Sequence, residues 1–416
     1  MPSRRPPRKR QNPISAAVSS WLQHVEPSLM DSGSNAELVE KAPKRWVVYE
    51  PMVLLPSGSF TSAPWPALLS SLDTPQQALL WEGILQAISA ASGKGPGLTH
   101  LAVNEGIPLQ QVADPQEQQQ TMATPIENLL RSPSGLRMLR GNFGSAGFQA
   151  LTPSPTDFSA AFWVSTRQNG VAQTWAPRWT MFSRGNVKEK ARLLGFHVEP
   201  QGKSLTHRLR SRDELGDKWA VDLYAGIGYF VFSYARLGLR VLCWELNPWS
   251  VEGLRRGAEL NKWSVRVIQG DELSIPTAEL MAGLDEQIVV FLEDNTEAEK
   301  RVAELRASGS TLDVLHVNCG FLPTSLPTWR PAWAIQTQGQ AGQDGWLHLH
   351  QNVGVADIEH RRKEIRGVFD QLDRTPESGH SSRRADVEHV ELVKTFAPDV
   401  WHCVFDVHIT DSKCLQ

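Results

Sequence analysis

Ten residues decide the fold: positions 221–230 read VDLYAGIGYF. The apolar beginning predicts a buried strand, and Gly226 and Gly228 predict a tight turn that leads into a helix. The first glycine lets the backbone turn sharply, and the second leaves room for a ligand where a side chain would block it. The stretch therefore predicts a strand, a glycine loop and a helix, with a ligand at the loop.

A second motif, WELNP at positions 244–248, ends the next predicted strand. Glu245 stands at that strand end, about twenty residues after the glycine loop, where a carboxylate accepts hydrogen bonds from both hydroxyls of a nucleotide ribose. Tyr229 and Phe230 occupy the place of the third glycine of the dinucleotide pattern. Because S-adenosylmethionine has no pyrophosphate for that glycine to cradle, the loop favours S-adenosylmethionine over NAD.

Composition indicates a globular chain with enough residues for one large or two ordinary domains. The 416 residues are 41% hydrophobic, which is enough to form a core. The four cysteines, at 243, 319, 403 and 414, have neither the close pairing of a zinc site nor the density of a secreted scaffold. Three of them lie in apolar segments and are predicted to be core thiols. The net charge of −3 disfavours broad nonspecific binding of nucleic acid.

The N-terminal segment, residues 1–42, is polar, and its first twelve residues are basic and proline-rich. We expect a disordered, solvated tail apart from a short helix near residues 14–25. A contact with nucleic acid or a nuclear address is the alternative for its basic residues. No apolar run long enough for a signal peptide or a membrane span follows. The sequence therefore predicts no membrane association and a cytoplasmic location.

Two domains are predicted after this tail. Residues 43–177 are expected to form a smaller mixed α/β domain, with strands at 46–49 and 98–103, a helix at 76–91, a glutamine-rich loop insertion at 110–124 and a hairpin that turns at Asn169-Gly170. Residues 178–416 are expected to form the ligand-binding domain, with strands at 219–223, 240–245, 265–269, 287–292, 312–318 and 346–351 and helices after the glycine loop, at 250–261 and at 357–372.

The alternation of strands and helices in the second domain predicts a mostly parallel sheet covered on both faces, with ligands at the carboxyl ends of its strands. Residues 387–395 and 401–409 add an antiparallel hairpin around a Pro398-Asp399 turn. Such a hairpin is typical of class I methyltransferase-like, Rossmann-type α/β folds and atypical of NAD-binding ones. The predicted fold class is therefore a class I methyltransferase-like domain preceded by a smaller α/β domain.

Four blocks of sequence together resemble tRNA wybutosine-synthesizing protein 2, and the resemblance covers roughly residues 99–409. They are WAPRWTMFSRGNVKEKAR at 175–192, DLYAGIGYF at 222–230, ELNPWSVE at 245–252 and HVNCGFLPTS at 316–325. The resemblance implies a transferase that acts on phenylalanine tRNA, at the tricyclic base next to the anticodon. In that family the 3-amino-3-carboxypropyl arm of S-adenosylmethionine, not its methyl group, moves to C7 of 4-demethylwyosine. The sequence indicates no obligate protein partner.

The resemblance also implies which residues bind the cofactor, beside Gly226 and Gly228. Ser183 and Lys190 match positions that hold the methionine-derived end, and Glu245 matches the ribose acceptor. Lys190 lies in a run with Arg184, Lys188 and Arg192, for which a solvated basic helix is the alternative to contacts with phosphate or carboxylate.

An acidic pair beside the adenine has two candidates. Asp294 and Asn295 match the Asp-Asn pair of the family and follow an apolar strand. Asp271, in Gly270-Asp271-Glu272, also follows a strand and is the rival. We favour Asp294 and Asn295 because the family motif stands on an apolar strand.

Asn318 is the candidate contact with the target base, since it ends a central strand where related base-modifying enzymes place a polar loop. The runner-up activity is that of tRNA guanine-37 N1-methyltransferase, which has Asn-Leu-Pro where this chain has NCGFLP at 318–323. A catalytically silent S-adenosylmethionine-binding partner is a third possibility. His348 and His350 share one side of a strand, but no third ligand has suitable spacing, so no metal is predicted. The sequence identifies no general base.

Overall fold

The computed structural model describes residues 11–24, 32–92, 97–104, 110–111, 126–127, 136–147, 152–198, 209–339, 344–374 and 383–411. The chain forms two compact units. The first comprises residues 1–149, 154–166 and 176–181, and the second comprises residues 150–153, 167–175 and 182–416. Most of the predicted loop insertion at 110–124, and Cys414, lie outside the described residues.

In its described residues the first unit contains a four-stranded sheet in the order β1-β2-β3-β6, a two-stranded sheet of β4 and β5, and five α-helices. Its strands are β1 (Val47–Tyr49), β2 (Met52–Leu55), β3 (His100–Val103), β4 (Gln110–Gln111), β5 (Ile126–Glu127) and β6 (Arg137–Arg140). Its helices are α1 (Pro13–His24), α2 (Ser32–Lys41), α3 (Trp65–Ser71), α4 (Thr74–Ala91) and α5 (Pro155–Ala160).

Helix α1 packs into the core of this unit. The side chain of Asn12 accepts hydrogen bonds from the amides of Ile14, at 3.0 Å, and Ser15, at 3.3 Å, and so caps the helix. Ile14, Val18 and Trp21 are buried in the cluster that also contains residues of α4. The short helix predicted near residues 14–25 is present as α1, whereas residues 32–41, which were expected to be disordered, form α2. The apolar i, i+4, i+7 spacing gives α1 a face that a core can bury.

A hairpin of β7 (Val164–Gln168) and β8 (Val171–Trp175) follows, as predicted. Asn169 and Gly170 have φ angles of 52° and 77°. Positive φ at both central residues is what a type I′ hairpin turn requires, which explains the Asn-Gly pair.

The second unit is built on an eight-stranded sheet in the order β11-β12-β10-β9-β13-β14-β16-β15. Its strands are β9 (Trp219–Asp222), β10 (Arg240–Trp244), β11 (Val265–Ile268), β12 (Ile288–Phe291), β13 (Val314–Cys319), β14 (Gly345–Gly354), β15 (Arg383–Ala397) and β16 (Val400–Asp411). The strands from β9 to β14 are parallel, and β16 and β15 add an antiparallel hairpin. The predicted class I methyltransferase-like fold is confirmed.

Eight helices of this unit lie in the described ranges, and successive residues of the strands belong to two different cores. The helices are α6 (Val187–Leu194), α7 (Arg212–Gly216), α8 (Val231–Leu237), α9 (Pro248–Asn261), α10 (Thr277–Met281), α11 (Ala298–Ala307), α12 (Trp329–Thr337) and α13 (Ile358–Asp373). Val221 joins the core that includes residues of α11, α12 and α13, whereas Ala220 joins the core that includes residues of α8 and α9. Side chains alternate across a strand, so both faces of the sheet are covered.

Three strands extend beyond the carboxyl edge of the parallel sheet. Cys319, the last residue of β13, is paired with Leu349, but β14 continues for five more residues to Gly354, which is paired with Val400 of β16. At about 3.3 Å per residue, this extension is roughly 16 Å long. We call it the projecting arm, comprising residues 350–354, 391–397 and 400–404. Within the described ranges, no helix is both long and apolar enough to cross a membrane.

Candidate functional site

The glycine loop joins the end of β9 to the start of α8. Gly226 and Gly228 have φ angles of 54° and 88°, in the region that favours glycine. A Cβ at Gly228 would lie 2.6 Å from Cζ of Phe232, and a Cβ at Gly226 would lie 2.8 Å from Cδ2 of Tyr229. Both positions therefore require glycine for backbone conformation and for space.

Glu245 is bonded to this loop. Its Oε2 accepts a hydrogen bond from the amide of Gly226, and its Oε1 accepts one from the amide of Asn247, each at 2.8 Å. Burial raises the pKa of Glu245, and the amide hydrogen bonds act in the opposite direction. Each carboxylate oxygen can accept further hydrogen bonds, so the fixed carboxylate suits a pair of ribose hydroxyls.

The strand order separates the two candidates for the adenine side. β12 pairs directly with β10, so Phe291 lies beside Trp244. Asp294 and Asn295 come shortly after the end of β12, and Glu245 directly follows the end of β10. Nδ2 of Asn295 donates to the carbonyl of Leu223 at 2.8 Å, which ties it to the start of the glycine loop. Asp294 is exposed, and its side chain accepts from the amide of Thr296 at 2.8 Å.

Asp271, the rival, follows β11 at the outer edge of the sheet. It is therefore one strand farther from Glu245 than Asp294 is. The sequence left the two alternatives open because β11 precedes β12 in the chain and both strands are followed by an acid.

Lys190 is buried in a polar and aromatic pocket. Its Nζ donates to Oε1 of Gln168 at 2.5 Å and to Oε1 of Gln173 at 2.6 Å. The same nitrogen lies 5.2 Å from the ring centre of Phe182 and 5.8 Å from that of Tyr229. Burial lowers the pKa of Lys190 to about 7, so an anion beside it would restore a full positive charge.

Ser183 reaches the same pocket through Tyr229. The amide of Ser183 donates to Oη of Tyr229 at 3.0 Å, and a short 3-10 turn, Arg184–Asn186, leads from Ser183 into α6. The two residues predicted to hold the methionine-derived end therefore meet at the glycine loop. Gln168 and Gln173 were missed by sequence reasoning, because nothing local distinguishes a glutamine in a hairpin from a solvated one.

Asp222 and Asn318 form a buried pair at the ends of adjacent strands, β9 and β13. Oδ1 of Asp222 accepts from Nδ2 of Asn318 at 3.1 Å and from the amide of Tyr224 at 3.0 Å. Both side chains are fully buried, yet Oδ2 of Asp222 and Oδ1 of Asn318 have no hydrogen-bond donor among the described residues. Burial, with the charge of Glu245 adding to it, raises the pKa of Asp222 to about 7.

Sequence reasoning missed Asp222. The signal was its position, an acid at the strand end directly before the glycine loop. Two buried acceptor oxygens without donors form a site that suits a cationic or hydrogen-bond-donating ligand group.

A second buried network holds α6 in place. Arg192 donates from Nη2 to Oε1 of Glu189 at 2.7 Å and to Oδ1 of Asp406 at 3.0 Å. Asp406 in turn bonds Nδ1 of His348 at 2.7 Å, and Nε2 of His348 lies 3.0 Å from Nδ1 of His316. The predicted basic run of α6 is thus used partly for structure.

Lys188, on the same helix, pairs with Glu391 of β15 at 2.6 Å.

His350 bonds His402 at 2.9 Å. Within the described ranges, no cluster of three or more histidine, cysteine or acidic side chains is arranged to hold a metal ion. Cys243, Cys319 and Cys403 are buried free thiols, which confirms that prediction.

Comparison with known proteins places this site in context. No family model matches the chain. It is 35% identical to tRNA wybutosine-synthesizing protein 2 of Schizosaccharomyces pombe over an alignment of 366 residues. The alignment covers 88% of this chain and 72% of that protein. It is 31% identical to tRNA wybutosine-synthesizing protein 2 of Saccharomyces cerevisiae over an alignment of 406 residues, and this alignment covers 91% of this chain and 76% of that protein.

Among solved structures, the chain is similar to TYW2 of Pyrococcus horikoshii in complex with MeSAdo. The TM-score is 0.53 at 15% sequence identity, over 96% of this chain and 100% of that chain. At this level of identity, the likeness shows a shared fold.

Proposed function

This chain belongs to the tRNA wybutosine-synthesizing protein 2 family, and we propose that it transfers the 3-amino-3-carboxypropyl group of S-adenosylmethionine to C7 of 4-demethylwyosine at position 37 of phenylalanine tRNA. The S–Cγ bond breaks as the C7–Cγ bond forms, the proton of C7 is lost, and the sulfur keeps its methyl group, so the by-product is 5′-methylthioadenosine. The enzyme acts in tRNA modification, in the cytoplasm.

One observation carries the proposal. Residues from three separate segments that match the cofactor contacts of the family are all joined to one glycine loop. Glu245 is joined through Gly226, Ser183 through Tyr229, and Asn295 through the carbonyl of Leu223 at the loop's start. A shared ligand at this loop explains why these three segments converge there.

The adenosine half of the cofactor is assigned to the side of the loop near β10 and β12. Glu245 accepts hydrogen bonds from the ribose hydroxyls, and its fixed carboxylate needs no reorientation to do so. Asp294 and Asn295, on the neighbouring strand, flank the adenine. Gly226 and Gly228 keep the loop in this conformation, because a Cβ at either position would clash with Tyr229 or Phe232.

The amino acid half is assigned to the other side of the loop. Lys190 uses two of its three N–H donors on Gln168 and Gln173, and the third remains for the carboxylate of the cofactor. Oδ2 of Asp222 and Oδ1 of Asn318 accept from the α-ammonium group. A buried acceptor without a donor costs about 1–3 kcal/mol, so a bound ammonium group relieves a real penalty.

The bound sulfonium supplies three activated carbons, and the carbon that lies in line with the nucleophile is the one that reacts. Holding both the carboxylate and the ammonium group fixes the arm, so the choice of Cγ over the methyl carbon follows from positioning. Contact of Asn318 with the target base stays a prediction, since its carboxamide is buried against Asp222.

The released nucleoside tests this proposal. Purified protein is incubated with S-adenosylmethionine and phenylalanine tRNA that carries 4-demethylwyosine, and the products are separated by chromatography. We expect stoichiometric 5′-methylthioadenosine. A guanine-37 N1-methyltransferase, tested on tRNA with unmodified guanine, would release S-adenosylhomocysteine, and a silent binding protein would release neither. Either of those outcomes would replace the proposal.

A further inference from the structure

Phe396 is an exposed aromatic residue at an irregular point of the projecting arm. Its relative exposure is 63%, high for a large apolar side chain. Thr395 is paired with Trp401 and Ala397 with Val400, so Phe396 is the extra residue of a bulge, next to the turn between β15 and β16. Bulges re-aim side chains and are common beside active sites. The fold gains little from this ring, because most of it remains in water.

The bulge lies at the carboxyl edge of the parallel sheet, the edge that carries Glu245 and Asn318. Ala397 is paired with Val400, which is itself paired with Gly354 at the far end of β14. The projecting arm therefore lies on the same edge of the sheet as the residues assigned to the cofactor. A single exposed apolar side chain is ordinary, so a binding role for Phe396 must be argued from its position and from the residues around it.

Two cations belong to the same region: Lys394, two residues before Phe396 on β15, packs against Gly185, and Arg184 directly precedes that glycine. Arg184 is exposed, and no hydrogen bond or ion pair joins its side chain to another described residue. Lys394 crosses Gly185, where a Cβ would lie 2.7 Å from its Nζ. Glu391 is already paired, with Lys188 at 2.6 Å, and Asp399 is exposed at the turn. The positive charge is therefore concentrated on the side of the arm that faces the Ser183 segment.

We propose that the end of the projecting arm is a docking surface for the unpaired loop of the RNA substrate, where Phe396 stacks on a loop base and Arg184 and Lys394 bind the adjacent phosphates. The inference rests on the proposed function for the identity of the RNA. Single-stranded RNA is recognised by aromatic stacking combined with cations that follow its backbone, which is the combination found here.

The test measures RNA binding without chemistry, by fluorescence anisotropy of the full chain. The two RNAs are the anticodon stem-loop of phenylalanine tRNA and the same stem as a duplex without its loop. Stacking contributes about 1–3 kcal/mol per base. We expect Phe396→Ala to weaken stem-loop binding about tenfold and to leave duplex binding unchanged, whereas Phe396→Trp retains the preference for the loop.

Leu260→Ala is the matched control, since Leu260 is also exposed, at 49%. It lies near the C-terminal end of α9, a helix that begins at the carboxyl end of β10 and runs back to the opposite edge of the sheet. Arg184→Ala and Lys394→Ala should weaken binding of both RNAs and lower its salt dependence, as lost phosphate contacts do. Affinity for 5′-methylthioadenosine should not change in any of these variants.

The inference is overturned if wild-type protein binds the duplex as tightly as the stem-loop, or if Phe396→Ala affects both RNAs equally or neither. It is also overturned if Phe396→Ala instead abolishes a dimer of the wild-type chain seen by sedimentation, since the ring would then bind a second copy. A wild-type protein that prefers the loop but releases no 5′-methylthioadenosine would leave this inference standing and would remove the proposed reaction.

Discussion

Arg192 and Asp406 link α6, the helix that carries Lys190, to strand β16, with Nη2 of Arg192 donating to Oδ1 of Asp406 at 3.0 Å. Asp406 is 2% exposed, and the neighbouring arginine holds its pKa well below the usual value. Loss of one member of such a pair leaves a buried charge without its partner.

Asp406→Asn should therefore lower the free energy of unfolding by about 3 kcal/mol. Denaturation by urea measures this loss. The matched control is Asp386→Asn on β15 of the same hairpin, which removes exposed ion pairs with Arg366 and Arg384 and should cost less than about 1 kcal/mol. Similar small losses for both variants would show that the buried pair does not stabilise the hairpin.

Lys190 should make cofactor binding depend on pH. Its pKa is about 7 in the free protein, and a bound carboxylate raises it. The affinity advantage of S-adenosylmethionine over its decarboxylated analogue should be greatest below pH 7 and should fall as pH rises above 7. Isothermal titration calorimetry from pH 6 to pH 9 measures this ratio. Lys190→Gln should abolish the dependence, and a ratio that is constant in the wild-type protein would remove Lys190 from the carboxylate site.

Glu245→Ala should weaken binding of 5′-methylthioadenosine by about 2 kcal/mol, because hydrogen bonds to a charged acceptor contribute roughly 1.5–3 kcal/mol each. Glu245→Gln should be milder, since the amide oxygen still accepts. A matched control is Glu252→Ala, whose carboxylate pairs with Arg255 and Arg256 on α9. Equal affinity of the wild-type protein for 5′-methylthioadenosine and its 2′-deoxy analogue would argue against the ribose contact.

Asp222 should change the pH dependence of stability. Its pKa is about 7 in the folded protein, against an ordinary value of 3.8 for an aspartate. Between those values the unfolded chain loses the proton that the folded chain keeps, so this group lowers stability progressively from about pH 4 to about pH 7, and the cost is constant above. Asp222→Asn should be more stabilising, relative to wild type, at pH 8 than at pH 4.5. Parallel urea denaturation profiles for both proteins would contradict the buried, protonated state.

Helix α1 should be required for the stability of the first unit. Ile14 is fully buried, so Ile14→Ala removes core packing and should cost about 2–5 kcal/mol. Ser20→Ala changes an exposed position on the same helix and serves as the control. Thermal unfolding followed by circular dichroism compares the two variants. A shift no larger than that of Ser20→Ala would mean that the helix does not stabilise the unit.

The sequence predicted the features that depend on local patterns. Asn169-Gly170 predicted its hairpin because only a few residues adopt positive φ, and Glu245 was predicted beside the glycine loop because strand ends of a parallel sheet meet at one edge. It could not predict the partners of Lys190, since Gln168 and Gln173 reach the pocket only through tertiary packing. Helix α2 was not predicted, because residues 32–41 are mostly polar and small.

The strand order has a consequence for synthesis of the chain. β11 leaves the ribosome before β12, yet among the described strands it pairs with β12, which also completes the outer side of β10. A nascent chain that ends before Ile288 therefore carries an unpaired edge on β10 and an apolar strand with nothing to pair with. Open edges of this kind are where incomplete chains aggregate and where chaperones act. The half of the sheet that carries Glu245 and Asp294 is thus complete only once residues 288–291 lie between β10 and β11.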